Sequence, residues 1–572
     1  MKGLLLFCLL LISIAGNLKG QLLPYPTYEG DGRHLERLSL LASSADGQQL
    51  AIRPYTYQTV ASWLERIDTM GVALTSQQQW DIELARERLA LVDRVEEGSQ
   101  SERDLYAEAG LKGWLKKSFY RRKGYAISTE KPGIKFYANP VLNFKLGTQS
   151  NTGTSSGTVF RNTRGATIRG EVDGKVWFQT TLYENQVRLP SWEREWSSAY
   201  NDAVPSVGFY KAYNSDFFNI TDGFDFFQAT GEVGFNITKH ISAQFGHGNP
   251  RIGTGYRSLV LDNFADPYLY AQIDTRVWKI HYRNLFTEMK DGRQTSTFRS
   301  NKYIAAHTLG IQLTKSLEVG ITEMTVFQRD DNGFDAQYLN PIILYRAVEQ
   351  DNGSSDNALI GLHANLRIGK KAEVYGQLLF DEFKFDEVVA RNGWWANKQA
   401  AQIGGKWFGA FGEDRLDLSG EFNVIRPFTY GHRFGPINYV HYDQPLAHPW
   451  GADLREFQVK FGYQISQSWR ILGQIVNLSQ GDVSLAPNPH IGANILFNNN
   501  LRDRDFDFRI AEENRVDRTY GQLQLQWRPF SGASLSATYD YYGRSTESTE
   551  DLGQHGISFG FSLNTIQRSS VF

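Results

Sequence analysis

Thiol chemistry is almost absent from this chain of 572 residues: its single cysteine, Cys8, lies inside an apolar N-terminal run. Downstream of that run, disulfides and thiolate metal sites are excluded. Long hydrophobic runs are missing too, since no later stretch approaches the roughly 18 apolar residues of a membrane-crossing helix. Mean hydropathy is -0.42, which excludes a bundle of membrane helices. It does not exclude a barrel, because half of each barrel strand is polar. No basic excess exists either: net charge is -2, which argues against a nucleic-acid partner. No zincin His-Glu-x-x-His string appears.

What the chain does have is aromatic residues and glycine, with 28 Tyr, 36 Phe, 13 Trp and 53 Gly. That enrichment suits many strands with tight bends. Met1 to about Gly20 reads as a secretory signal, with Lys2 in the positive region and Leu4 to Ala15 apolar. Cleavage after Ala15 or after Gly20 fits equally. Phe7 is too bulky for the small residue that precedes a lipidated cysteine.

Residues 21–130 read as a small helical unit. Val60, Trp63, Leu64 and Ile67 follow helical spacing, and Pro54 suits the start of that helix. Trp80, Leu84, Leu91 and Val95 form a second stripe, with Ile82, Leu89 and Val92 on its flanks. Thr75 and Ser76 precede it as caps, with Gln78 and Gln79 near the capping-box position. Leu105, Leu111, Trp114 and Leu115 suggest a third, weaker helix ending in the basic run Lys116 to Lys123.

Over residues 131–572 the period changes to two. Leu416, Leu418, Phe422 and Val424 oppose Asp417, Ser419, Glu421 and Asn423. Phe457, Val459, Phe461 and Tyr463 oppose Gln458, Lys460 and Gln464, and Ile557, Phe559 and Phe561 oppose Ser558, Gly560 and Ser562. Charged and amide side chains fill the second face so often that a hydrated interior is expected, with the apolar face toward lipid. Very short connections (Asp173-Gly174, Gly369 to Lys371, Ser466 to Ser468, Phe530 to Gly532) contrast with long ones. The long ones run over Arg188–Pro205, Gly248–Pro267, Asp330–Ser355, Tyr430–Asp453 and Gln480–Asp517. Tight turns at one rim and long loops at the other define an all-β transmembrane barrel of roughly 16 to 18 antiparallel strands. One phase break, between Val277 and Trp278, predicts a bulge that turns Lys279, His281 and Arg283 to the interior. The terminal Phe572 resembles the signal of assembled outer-membrane barrels.

Candidate chemistry is sparse. Gly246 to Arg257 is glycine-rich, but lacks a Gly-Lys-Ser/Thr ending and a following helix. A folded loop lining or entering the pore is expected instead of a nucleotide site. His432, His441 and His448 share one long loop, with spacings that match no zinc-enzyme motif, so no metal and no cofactor is predicted. The acidic pairs Asp381 with Glu382 and Glu413 with Asp414 read as polar lumen residues. Trp192 and Trp196 around Arg194, and Trp394 and Trp395 beside Arg391 and Asn392, offer flat faces and polar partners to a sugar. Trp394 and Trp395 suit an interfacial aromatic girdle equally well. The glycan-binding candidates are Trp192, Arg194, Trp196, Lys279, His281, Arg283, Trp394, Trp395 and His441.

The segments Phe245-Gly246-His247-Gly248 through Gly255-Tyr256-Arg257-Ser258-Leu259, Trp278-Lys279-Ile280-His281-Tyr282 and Leu339-Asn340-Pro341-Ile342-Ile343 carry a family resemblance. Gly353 to Leu359 and Asn438 to Pro449 extend it. The chain resembles the Wzi family of capsule assembly outer-membrane proteins, and looks closest to its Bacteroidetes members, among them RemB-like gliding-motility proteins. That resemblance implies a periplasmic helical segment before an outer-membrane barrel, and a non-catalytic, lectin-like role in holding capsular polysaccharide. Its partners would be that polysaccharide, outer-membrane lipid and, on the motility reading, other surface proteins. A structural part in gliding and a solute channel are the alternative roles.

Overall fold

A computed structural model describes Tyr25 and residues 32–42, 55–71, 73–93, 110–119, 125–151, 154–292, 300–342, 344–353, 356–483, 492–512, 514–546, 551–566 and 570–572. The apolar leader and Pro54 lie outside the described residues.

Eighteen antiparallel strands close into a barrel. They are β1 (Ile134–Asn151), β2 (Thr154–Val172), β3 (Val176–Arg188), β4 (Ile220–Asn236), β5 (Ile241–Gly248), β6 (Tyr268–Val277), β7 (Ile280–Lys290), β8 (Asn301–Gln312) and β9 (Leu317–Phe327). The second half comprises β10 (Asn357–Ile368), β11 (Ala372–Glu382), β12 (Lys398–Phe408), β13 (Leu416–Ile425), β14 (Leu454–Gln464), β15 (Trp469–Gly481), β16 (Arg515–Trp527), β17 (Ala533–Thr546) and β18 (Leu552–Leu563). Each strand pairs with its sequence neighbour, and β1 closes the ring against β18 from Leu142↔Leu563 to Asn151↔Gln554. Closure leaves no open sheet edge to hydrogen-bond in lipid. Two short strands extend single wall strands: Ile127–Lys131 on β1 and Lys211–Ser215 on β4.

The alternation holds. Phe457, Leu523, Ile557 and Phe559 stand exposed on the outside, while Glu456, Gln458, Gln526 and Ser558 are buried on the inside. Among the described residues no protein layer covers that apolar wall along most strands, the pattern of a wall that suits hydrocarbon. The phase break after Val277 is a two-residue hairpin, not a bulge. Val277 pairs with Ile280, and Trp278 (φ 53°) and Lys279 form the turn between β6 and β7. Each strand keeps its own parity, so His281 and Arg283 do face the lumen, but Lys279 stays at the rim.

The tight turns share one rim. Four helices gather there: α1 (Arg33–Ala42), α2 (Tyr57–Thr69), α3 (Ser76–Asp93) and α4 (Gly110–Phe119). Alternation-blind spacing missed α1. The expected capping box forms, with Thr75 N–H donating to Gln78 Oε1 (3.0 Å) and Gln78 N–H to Thr75 Oγ1 (3.4 Å). The stripe of α3 is rotated from expectation: Ile82, Ala85 and Leu89 enter the helical core with Leu35, Leu38, Val60, Trp63 and Ile67. Trp80 and Leu84 instead line a cavity of about 220 Å³ between helices and barrel. Trp177 of β3 belongs to the helical core, and polar clamps add to the seam. Arg37 bridges Asp81 (2.5 Å) and Asp417 of β13, Lys406 reaches Glu36 (2.8 Å), and Arg88 donates to Ser531 (3.0 Å).

Candidate functional site

Inserted segments of the chain pack into the lumen, where a hydrated interior was expected. Loop 249–267 dips inward from β5, as its glycine-rich stretch suggested, burying Ile252, Leu259, Val260, Leu261 and Phe264. Loop 426–453, helix α5 (Ser191–Ala199) and the tail 570–572 join it in one apolar cluster. The polar wall faces this plug and satisfies its backbone. Glu421 accepts the N–H groups of Tyr256 (2.6 Å) and Arg257 (3.0 Å), and is itself held by Tyr375 and Gln458. Gln377 Oε1 accepts Leu259 N–H (2.8 Å), while Gln402 Nε2 donates to Arg257 O (3.0 Å). A buried polar group without a partner costs about 1–3 kcal/mol, so these amide and carboxylate rows select the inserted backbone.

Arg257 is the centre of the plug. Its guanidinium donates to Glu456 (3.0 Å) and to the carbonyls of Ser570 (2.6 Å) and Val571 (2.9 Å). His448 Nε2 meets the other Glu456 oxygen at 3.0 Å. Phe572 therefore lies inside the barrel, against Tyr520 (5.2 Å, near parallel), Trp450 and Tyr542.

The predicted sugar-contacting residues do not converge. Trp192 and Trp196 are buried in the plug: Trp192 packs on Tyr520 (5.2 Å), and Trp196 stacks on Tyr200 and donates Nε1–H to Pro449 O (2.8 Å). Arg194, between them, turns outward to Asp222 (2.5 Å). His281 and Arg283 are neutralised on Asp274 near the tight-turn rim, at 2.8 and 2.9 Å. Lys279 Nζ lies 5.3 Å from the Trp278 ring at that same rim, the full height of the barrel from the long loops. His441 is buried, and its Nδ1 accepts Lys290 N–H (3.0 Å). Burial pushes the His441 imidazole down to about 3 and the His432 imidazole to about 4, so both are neutral. His432, His441 and His448 keep separate partners, and among the described residues no metal-holding cluster forms. Asp381 accepts Tyr430 N–H inside the barrel, but Glu413 and Asp414 lie in a tight turn, not in the lumen. Of the string Gly153 to Gly157, which reads Gly-x-Ser-x-Gly, the described residues Thr154 to Gly157 lie within β2 with no helix after them, unlike a nucleophile elbow.

Trp394 and Trp395 stand apart from these. They belong to loop 383–397 at the long-loop rim and are half-buried, with ring centroids 6.4 Å apart. The loop is zipped to 503–508: Trp395 N–H donates to Asp505 O (2.9 Å), Asp507 N–H to Asn392 O (2.9 Å) and Phe508 N–H to Gly393 O (3.0 Å). Gly393 (φ 68°) is required there, since a Cβ would lie 2.7 Å from Phe508 N. Arg502 lies 3.9 Å over the Trp395 ring, Lys398 Nζ is 5.4 Å from it, and Lys384 Nζ is 5.4 Å from Trp394. Arg426 ties the ledge to the plug by donating to Asn397 O (2.7 Å) and Trp394 O (3.3 Å). The result is a ledge of indole faces, guanidiniums and amides. Arg502, Arg504, Phe428 and Phe508 were not legible as its members, because they come from loops far away in sequence; only the paired Trp signalled it.

A closed barrel with an apolar outer wall, a packed lumen and helices over one mouth defines an outer-membrane-type β-barrel. The chain belongs to the capsule assembly protein Wzi family, whose profile matches residues 235–555. That span holds loop 249–267, the ledge and Glu456. Among solved structures, Wzi of Escherichia coli, described as an outer-membrane protein of group 1 capsule assembly and a carbohydrate-binding β-barrel, is 12% identical. The match covers 94% of this chain and 99% of that one, with a TM-score of 0.52, and the likeness is one of fold. OpdK of Pseudomonas aeruginosa with vanillate is 8% identical over 74% of this chain and 98% of its own (TM-score 0.40). OprD of the same organism is 12% identical over 75% and 96% (TM-score 0.37). No curated protein matches the chain.

Proposed function

We propose that this barrel binds exported capsular polysaccharide at the cell surface and retains it there without catalysing a reaction. The observation that carries this reading is the Trp394–Trp395 ledge: two half-exposed indoles beside Arg502, Lys384 and Asn392 at the long-loop rim. Indole faces take the CH surface of a pyranose, and fixed guanidiniums and amides take its hydroxyls. Weak contacts repeated along a polymer and across many barrels sum to firm retention. The family and the carbohydrate-binding description of the Escherichia coli relative support the same conclusion. On this reading residues 1–20 are a cleaved leader, residues 21–130 lie in the periplasm, and the long loops face outward. The packed lumen weighs against a solute channel, and the scattered candidate residues weigh against catalysis.

Binding of purified, detergent-solubilised protein to a capsular glycan array tests the proposal. Trp394→Ala with Trp395→Ala removes two aromatic faces worth about 1 kcal/mol each, so affinity falls roughly tenfold or more. Equal binding by the variant, or shortening of the polymer during incubation, refutes the assignment. In cells lacking the protein, polymer is made and exported but shed into the medium.

A further inference from the structure

Most of the outer wall is apolar, but one sector is not. From β7 to β9 the outward positions hold Tyr282, Asn284, His307, Glu323 and Thr325. The connection between β9 and β10 covers them. Instead of standing above the rim, it folds against the outside of the barrel. Phe334, Tyr338, Tyr345 and Val348 pack on Phe286, Tyr303, Ala305 and Phe327, whose neighbours in sequence, Leu285, Ile304, Ala306 and Val326, point into the lumen.

The polar wall residues satisfy this strap. Glu323 accepts the N–H groups of Tyr345 (3.0 Å) and Arg346 (2.8 Å) at the start of helix α6 (Tyr345–Asp351). Tyr282 donates to Pro341 O (2.5 Å), and Tyr345 stacks on His307 at 3.7 Å. Asn340 Oδ1 accepts Ile342 N–H (3.1 Å). At its root, Arg329 clamps Asp356 (2.7 Å) and Asp335 (3.0 Å). Irregular backbone at membrane depth needs its polar groups satisfied, and the wall supplies partners for three of them, Tyr345 N–H, Arg346 N–H and Pro341 O.

The outer side of the strap is aliphatic at its tip. Ile342 is 85% exposed and Leu344 70%. They continue the lipid-facing surface of Ile321, Ile360 and Leu362 on β9 and β10. Gln337, Gln350 and Asp351, toward the ends of the strap, are polar and exposed, and Arg346 is half-exposed on Glu349. We infer that residues 334–342 and 344–351 form a lipid-embedded strap whose exposed tip residues Ile342 and Leu344 contact acyl chains. The strap is thus a side-on membrane contact, separate from the ledge at the rim.

Spin labels on the full chain in lipid nanodiscs test this. In a Cys8→Ser background, label Ile342→Cys and Leu344→Cys, with Phe559→Cys as the lipid-facing reference and Asp503→Cys as the loop reference. The ratio of oxygen to nickel-chelate accessibility at Ile342→Cys and Leu344→Cys matches Phe559→Cys and exceeds Asp503→Cys by about tenfold, because a polar chelate is excluded from hydrocarbon. High chelate accessibility overturns the inference, since the strap then stands in water. Low accessibility to both probes overturns it as well, by showing that a second copy or another protein covers the tip. Adding Glu323→Ala removes the helix cap, and the Ile342→Cys spectrum narrows as the strap loosens; an unchanged spectrum overturns the role given to Glu323.

Discussion

Replacing Arg257 by methionine removes the charge at the centre of the plug while keeping most of the side-chain volume. In the folded protein Arg257 is fully buried and donates to Glu456 and to the carbonyls of Ser570 and Val571. Glu456 is equally buried and keeps only His448 and Asn423 (2.9 Å) once the guanidinium is gone. Breaking a buried ion pair from one side costs about 3–5 kcal/mol, because the remaining charge stays desolvated. At 1.4 kcal/mol per tenfold, the opening constant of the plug rises by about two to three and a half orders of magnitude. The wall strands do not depend on this pair, so the effect is local. Limited proteolysis in detergent, read by mass spectrometry, reports it: cleavage within 249–267 and loss of the 570–572 tail accelerate, while the barrel keeps its heat-modifiable mobility on gels. Pairing Arg257→Met with Glu456→Gln restores part of the resistance by removing the orphaned charge. Unchanged cleavage in the single variant would refute an ion-pair lock and leave apolar packing as the whole cause.

Acid should loosen the long-loop side. Burial depresses His441 and His432 to about 3 and 4, so the unfolded state binds more protons below its pKa near 6.5. Their stabilising effect is complete above that pH and declines as pH falls toward 4. Burial raises Asp453 to about 7, so it opposes them: its stabilising effect is complete below about 3.8 and is lost as pH rises through 7. His441→Gln therefore flattens the acid limb of a melting curve, and Asp453→Asn flattens the limb near neutrality; a curve with the same shape in either variant contradicts the assignment. Arg37→Ala unclamps Asp81 and Asp417, costs about 3 kcal/mol at the helix–barrel seam, and exposes residues 33–93 to protease while leaving the barrel intact.

Alternation was the legible part. Side chains of a strand must point to opposite faces, so the order of apolar and polar residues in Leu416–Ile425 or Leu454–Gln464 decided both the strand and which side meets lipid. Turn length decided the two rims for the same local reason. The Thr75–Gln78 capping box was equally local, and it formed.

Where the long loops go was decided only by the folded barrel. Trp196 and Trp395 are the same residue type in similarly polar loop contexts, yet one is buried in the lumen and the other lies on the ledge. The difference comes from partners remote in sequence: Phe264 and Pro449 for Trp196, Arg502 and Phe428 for Trp395. The polar inner wall was readable, but not that backbone rather than water would satisfy it, because Glu421 serves a hydroxyl, an amide or a solvent molecule equally well. The outward Glu323 and His307 depart from the apolar wall, and the strap covers them. A one-dimensional period reports which face a residue occupies; what covers that face depends on contacts between segments tens to hundreds of residues apart.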